Sequence, residues 1–218
     1  MTDLTKPQPH DPSNGYERVA RNFIASRNPR IGVATVREWT KTLPPGSSVL
    51  DLGCGHGVPI SQVLIGSGFA VCGIDASATM IAAFRERFPD VLAQCSSVED
   101  SEFFNRTFDA AIAWGLMFLL PAETQTLLIR KVAKALNHGG KFLFTSPREE
   151  LSWVDVLTGL ESRSLGFDTY KQILAAEGLA LVGEAVDEGE NYYYASERTM
   201  DAQGSEETRE ARPGQPRF

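Results

Sequence analysis

The sequence predicts a single α/β domain, and three observations carry that prediction. Apolar runs of strand length alternate with segments of helical spacing across most of the 218 residues. The run VLDLGCGHG at 49–57 drives a hydrophobic strand straight into a turn with glycine at every second position. A second apolar run, AVCGI at 70–74, ends in Asp75, an acid at the tip of the next strand.

The elements follow in order. YERVARNFIA at 16–25 has the spacing of a leading helix, continued by a second around Ile31 to Thr42. Packing against the domain suits Phe23 and Ile24, whereas Tyr16, at the front of the helix with a polar tip, suits either packing or a ligand. Val49 and Leu50 form the buried end of the first strand, Asp51 sits where the strand leaves the core, and Gly53, Gly55 and Gly57 remove Cβ atoms where the chain turns. Helix-like sequence from Pro59 would aim free backbone N–H groups at a polar ligand there. After Asp75, Ser77 is a good N-cap for a helix carrying Met80 and Ile81. A third strand is expected near Val91 to Gln94, and FDAAIAWGLMFLL at 108–120 holds the fourth strand and the start of the next helix. A turn at Asn137 to Gly140 leads into a fifth strand, Phe142 to Thr145.

Residues 146–166 read as a loop-rich insertion, neither clean helix nor clean strand, carrying Trp153, Asp155, Thr158, Ser162, Arg163 and Ser164. Phe167 to Glu177 then reads as a helix with Ile173 and Leu174 inward, and 179–186 and 191–196 as the last two strands. In the latter, Tyr192 and Tyr194 share one side and Tyr193 takes the other.

The glycine spacing is GxGxG rather than the dinucleotide GxGxxG, whose third glycine would fall at Val58. Together with Asp51, the Asp75 strand tip and the ALNHGGKFLF segment at 135–144, it resembles the class I S-adenosylmethionine-dependent methyltransferases. Here His138 stands in place of that family's usual proline. The resemblance implies a Rossmann-like fold with a seven-stranded, mostly parallel sheet in the order 3-2-1-4-5-7-6, the last strand antiparallel. It implies S-adenosylmethionine as cofactor and S-adenosylhomocysteine as product. On that reading Asp51, Gly53, Cys54 and Gly55 cradle the cofactor, Asp75 holds its ribose, and Ala76 and Met80 pack near the adenine. Ser97 stands where many members carry an aspartate to the adenine, with Val98 after it; Glu99 or Asp100 are the alternatives. Trp114 falls where the family's pocket opens beside the methyl group, as an aromatic wall or a core residue. The N-terminal helices correspond to a lid.

Substrate contacts are expected from the insertion and the last strands, through Trp153, Tyr170 and Tyr192. An acceptor that starts protonated needs a base, for which Tyr16 and Asp155 are the leading candidates, with Tyr170 and Tyr192 behind them. Two rival readings remain: a nicotinamide-dependent oxidoreductase, and a non-catalytic cofactor-binding protein of the same fold.

Composition sets bounds. A net charge of −7, with no window dominated by Lys or Arg, disfavours a nucleic-acid partner and fits a small organic acceptor. Three cysteines without disulfide or CxxC spacing suggest reduced thiols in a cytoplasmic protein, acting as monomer or homodimer. Cys54 reads as a small residue filling the turn rather than a nucleophile. His10, His56 and His138 share no ligand spacing, so no metal is expected. The N-terminal stretch lacks the apolar core of a signal peptide, and the apolar run 110–120 is too short to span a membrane. The expected organisation is a flexible stretch over 1–14, a domain over 15–198 and a disordered tail over 199–218.

Overall fold

The computed structural model describes residues 11–199. Its centre is a seven-stranded sheet in which β1 (Ser48–Leu52) lies between β2 (Ala70–Asp75) and β4 (Phe108–Ala113), parallel to both. Beyond β2 lies β3 (Leu92–Cys95); beyond β4 come β5 (Leu136–Thr145), β9 (Tyr192–Arg198) and β8 (Leu179–Val186). Strand β9 runs antiparallel to both of its neighbours. The order β3-β2-β1-β4-β5-β9-β8 is the expected one once two hairpin strands outside the sheet, β6 (Glu150–Val154) and β7 (Glu161–Leu165), are set aside.

The inner strands are buried on both faces, which is why they read as continuous apolar runs. Alternate residues feed two core layers. Leu50, Leu52, Ile74, Phe142, Phe144 and Tyr194 belong to one, and Val49, Val71, Ile112, Leu143 and Tyr193 to the other. The helices are α1 (Tyr16–Ser26), α2 (Val33–Thr40), α3 (Ile60–Gly66), α4 (Ala78–Arg87), α5 (Ala122–Ala135) and α6 (Phe167–Ala176). Ser77 caps α4 as expected, its Oγ accepting from the Met80 N–H at 3.1 Å. Because connections leave β1 and β4 toward opposite ends of the sheet, a crevice opens at their carboxyl ends, where ligands bind in open α/β sheets.

Four local expectations are corrected. The insertion is not loop-rich: β6 and β7 form an antiparallel hairpin, registered from Glu150 against Leu165 to Val154 against Glu161. Its buried positions are Ser162 and Ser164 rather than apolar residues, so no hydrophobic alternation marked it. The Ser164 hydroxyl donates to the Pro147 carbonyl at 2.6 Å. The turn at 137–140 lies inside β5 as an irregularity, since Phe108 pairs with Leu136 but Ala110 with Lys141. After β4 the chain makes a 3₁₀ turn, Met117–Leu119, and the next helix begins only at Ala122, after Pro121. Residues 11–14, expected to be flexible, form a turn into α1, with the Asp11 carboxylate accepting from the N–H groups of Ser13 and Gly15 at 2.9 and 3.0 Å. The rest of the expected flexible stretch and the tail from residue 200 lie outside the described residues, while Thr199 N–H still donates to the Gly178 carbonyl at 2.9 Å. Among the described residues no helix is long and apolar enough to cross a membrane.

Candidate active site

A cleft opens at the carboxyl ends of β1, β2 and β4, with the first turns of the described chain and α1 over it. Its floor is the 53–57 turn. Gly55 has φ +55°, and a Cβ built there would meet nothing nearer than Met80 Sδ at 4.0 Å, so its missing side chain leaves open cleft. Gly57, at φ +84°, serves packing instead, because a Cβ there would lie 2.5 Å from the Phe88 ring.

Two buried acids flank this turn. Asp75 accepts from the Gly55 N–H through Oδ2 and from the Ser77 N–H through Oδ1, both at 2.8 Å. A carboxylate oxygen has two lone-pair sites, so each keeps one for a ligand. Burial pushes the Asp75 carboxyl upward against the pull of those two N–H bonds. Asp51, 1% exposed at the end of β1, accepts from the Ser61 hydroxyl. Burial pushes its carboxyl up to about 7, with the Ser61 bond opposing and the Asp75 charge adding. Neither acid has an ion-pair partner among the described residues. The floor is therefore a place where a cation or a pair of hydroxyls is stabilised.

Helix α1 is tied down on both sides of the cleft. On one side the Glu17 carboxylate accepts from the hydroxyls of Ser77 and Thr79 and from the Thr79 N–H, which hold its carboxyl below the usual range. On the other, the Tyr16 hydroxyl donates to Asp155 Oδ2 at 3.2 Å, and Arg18 donates to the Thr158 carbonyl at the hairpin tip. Asp155 Oδ1 also accepts from the N–H groups of Leu157 and Thr158, at 2.8 and 2.9 Å. Burial, then the Asp155 charge, push the Tyr16 phenol above its usual range. At the far end of the cleft the Trp114 Nε1–H donates to the Tyr193 hydroxyl at 2.6 Å, which in turn donates to Asp187 Oδ2 at 2.7 Å.

Residues 49–140 match the family described as a methyltransferase domain. Over those residues the chain matches a methyltransferase domain. It is 28% identical over 133 residues to a tRNA (carboxymethyluridine(34)-5-O)-methyltransferase of Xenopus tropicalis, covering 59% of this chain and 19% of that one. It is 26% identical over 129 residues to 2-methyl-6-phytyl-1,4-hydroquinone methyltransferase of Synechocystis, covering 58% and 40%. The chain thus spans well under half the length of these relatives. The fold superimposes on 1,6-didemethyltoxoflavin-N1-methyltransferase of Burkholderia thailandensis, solved with that substrate and S-adenosylhomocysteine, at a TM-score of 0.68 and 16% identity over 91% of this chain and 94% of that one.

Asp51, Gly53, Cys54, Gly55, Asp75, Ala76, Met80, Val98 and Trp114, all within the matched residues, line the cleft, as does Tyr16 from α1. Ser97 does not: its hydroxyl donates to Asp100 Oδ2 at 2.8 Å in a local turn, and Ser96, Val98 and Glu99 face the cleft instead. Burial raises the Cys54 thiol well above its usual range, which keeps it protonated. His56 is buried beside the edge of the Phe23 ring, and burial, then Arg87 and Arg27, push its imidazole down to about 4, so it is neutral at pH 7. No group of residues that could hold a metal ion occurs among those described.

The expected substrate residues fare unevenly. Tyr170 is fully buried under the hairpin, its hydroxyl bonded to Gln125 Oε1 at 2.6 Å and Ser146 Oγ at 2.8 Å, so it is a core residue of α6 and not a substrate contact. Tyr192 points to the face of β9 opposite Tyr193, where it meets Glu184 and Arg148, away from the cleft. Trp153 does not line the cleft but packs on Phe118, which does, with ring centroids 5.5 Å apart. Sequence reasoning missed Arg27 and Asn14, which line the cleft, and the role of Tyr193 in holding Trp114. It also favoured packing for Phe23, although that ring lines the cleft, edge-on to Tyr16 at 5.5 Å. Asn14 had one available signal, the Ser-Asn-Gly turn before α1; its Nδ2 is buried without a hydrogen-bond partner among the described residues.

Proposed function

We propose that the chain transfers a methyl group from S-adenosylmethionine to a small organic acceptor. The observation that carries this reading is Asp75, whose two oxygens are oriented by Gly55 and Ser77 and keep free lone pairs beside an open glycine floor. The cleft fits the cofactor in further respects. The Asp51 and Asp75 carboxylates suit a ribose diol and a positively charged sulfonium or ammonium, and the unpartnered Asn14 amide offers a donor to a heterocycle or carboxylate. The hydrocarbon walls at Met80, Val98 and Leu119 suit an adenine ring.

Bound there, the cofactor supplies a methyl group already activated by the positive sulfur. What the chain must do is hold an acceptor in line and keep water out, and positioning of this kind supplies on the order of 7–11 kcal/mol of a barrier. Helix α1, strapped to α4 through Glu17 and to the hairpin through Tyr16 and Arg18, closes the roof. For an acceptor that must lose a proton, Tyr16 Oη receives it while its own proton moves to Asp155 Oδ2. The hydrogen bond for that second transfer is already made. A phenol whose titration is raised stays protonated and can accept a proton only as its own leaves, so the carboxylate behind it is essential to this role. Tyr16→Phe is accordingly expected to lower turnover of amine or hydroxyl acceptors 10²-fold or more with little change in cofactor affinity, as single-turnover kinetics beside calorimetry would show. The free cysteines Cys54, Cys72 and Cys95 suit a reducing, cytoplasmic setting, and a monomer or homodimer would suffice for this chemistry.

The Asp51 carboxyl, protonated up to about pH 7, must ionise to stabilise a cationic ligand. Binding then releases a proton below that pH, so affinity for S-adenosylmethionine is expected to rise from pH 6 to pH 8, by at most about tenfold per unit on the acid side. Asp51→Asn should remove most of that slope, measured by calorimetry in buffers of differing ionisation enthalpy.

Calorimetric titration with S-adenosylmethionine and S-adenosylhomocysteine, with NADH as control, tests the reading directly. Micromolar binding of the first two and none of NADH is expected. Binding of NADH alone would favour an oxidoreductase, and cofactor binding without methyl transfer to any acceptor would favour a regulatory protein.

A further inference from the structure

The cleft contains a cation with no direct ion-pair partner among the described residues. Arg27, the residue that ends α1, lines the cleft with its guanidinium 4.3 Å from the Trp114 ring centroid and 5.1 Å from that of Phe23. It has neither an ion-pair partner nor a side-chain hydrogen bond among the described residues. Stacking satisfies the faces of a guanidinium but not its N–H edge, whose fork matches a carboxylate.

The arrangement places this fork toward the acceptor end of the cleft. Trp114 is held toward β9 by Tyr193, three strands across the sheet from β1. The charges of Tyr16, Tyr193 and Asp187 act on Arg27, and Arg27 in turn acts on His56 in the glycine turn. Asp187 is already occupied: its oxygens accept from the N–H groups of Gly189 and Asn191, the Asn191 amide and the Tyr193 hydroxyl. The cleft that Arg27 lines also has apolar walls at Leu116 and Phe118.

We propose that Arg27 receives a carboxylate of the methyl acceptor, so that the substrate is an aromatic or similarly apolar acid whose body lies against Leu116 and Phe118. This rests on the methyl-transfer reading above and narrows it to a substrate class. The other source of a carboxylate in the same cleft is the amino-acid tail of the cofactor, and the experiment separates the two.

Protein loaded with S-adenosylhomocysteine would be titrated with matched acids and primary amides: phenylacetate and phenylacetamide, indole-3-acetate and indole-3-acetamide, 4-hydroxybenzoate and 4-hydroxybenzamide. The same titrations would be run on Arg27→Gln and Arg27→Lys, with S-adenosylhomocysteine affinity measured for each protein. At least one acid should bind the wild type tenfold or more tightly than its amide. Arg27→Gln should abolish that preference while changing S-adenosylhomocysteine affinity less than threefold, and Arg27→Lys, which keeps the charge without the planar fork, should fall between. If Arg27→Gln does not melt cooperatively, Arg27→Lys carries the comparison. The proposal is overturned if the wild type prefers no acid over its amide, or if the Arg27 variants lose S-adenosylhomocysteine affinity tenfold or more. A wild type that binds no S-adenosylhomocysteine at all would instead remove the methyl-transfer reading, and the proposal with it.

Discussion

Gly55→Val is expected to abolish binding of S-adenosylmethionine and S-adenosylhomocysteine in a protein that still folds. The position combines a left-handed φ of +55° with open space on the cleft side, so a branched side chain meets two obstacles. The backbone conformation costs a non-glycine residue about 1–2 kcal/mol, which is a fraction of the stability of an ordinary domain. The side chain itself fills the floor on which the ligand would rest, and no movement of a neighbour makes room, because nothing but Met80 Sδ at 4.0 Å is near it. Melting curves should therefore show a modest shift, while calorimetry detects no heat of binding. Normal affinity in this variant would mean that the ligand lies elsewhere. Gly57→Val makes the useful contrast: its Cβ would strike the Phe88 ring at 2.5 Å, so the damage there should appear first in stability.

The second large effect is at Asp75. Asp75→Ala should weaken cofactor binding roughly ten- to hundredfold, from a loss of about 1.5–3 kcal/mol for a charged hydrogen bond to a ligand hydroxyl. Part of the loss is indirect, because the carboxylate also accepts from the Gly55 and Ser77 N–H groups at 2.8 Å and so shapes the turn and the start of α4. Asp75→Asn separates the two contributions. Its amide oxygen can accept from one N–H, but its NH₂ faces the other donor, so the turn should be partly preserved while the ribose contact is lost. Unchanged affinity in a folded Asp75→Ala protein would remove the ribose assignment.

The glycine-and-acid floor of the cleft was legible in the sequence because its demands are local. A turn that needs positive φ and no Cβ selects glycine at fixed spacing, and the acid beside it stands at the tip of a strand. Each of these shows in a stretch of nine residues or fewer. The order of the sheet followed from the resemblance, with one complication: the hairpin of β6 and β7 adds two strands outside it. That hairpin escaped notice because Ser162 and Ser164 occupy its buried positions, so the usual signal, alternation of apolar and polar residues, is absent. Tyr170 misled for the converse reason. A tyrosine near a polar insertion reads as a ligand contact, but here Gln125 and Ser146 satisfy its hydroxyl inside the core.

The far end of the cleft, around Trp114, was not legible, and the cause is distance along the chain. Arg27 comes from the end of α1, Trp114 from the loop after β4, Asp155 from the hairpin, and Tyr193 from the last strand. No spacing rule connects them; they meet because the sheet order sets β9 beside β5 and the roof helix is strapped to two partners. The chain read as letters thus settles the alternating architecture and the glycine-and-acid floor, since backbone geometry and strand periodicity are encoded within a few residues. Only the folded molecule decides that Tyr16 meets Asp155, that Tyr193 rather than Tyr192 supports the cleft, and that Arg27 stands over Trp114 with no ion-pair partner among the described residues. Those are outcomes of packing between distant segments, where burial and hydrogen-bond satisfaction choose among side chains that local sequence leaves equivalent.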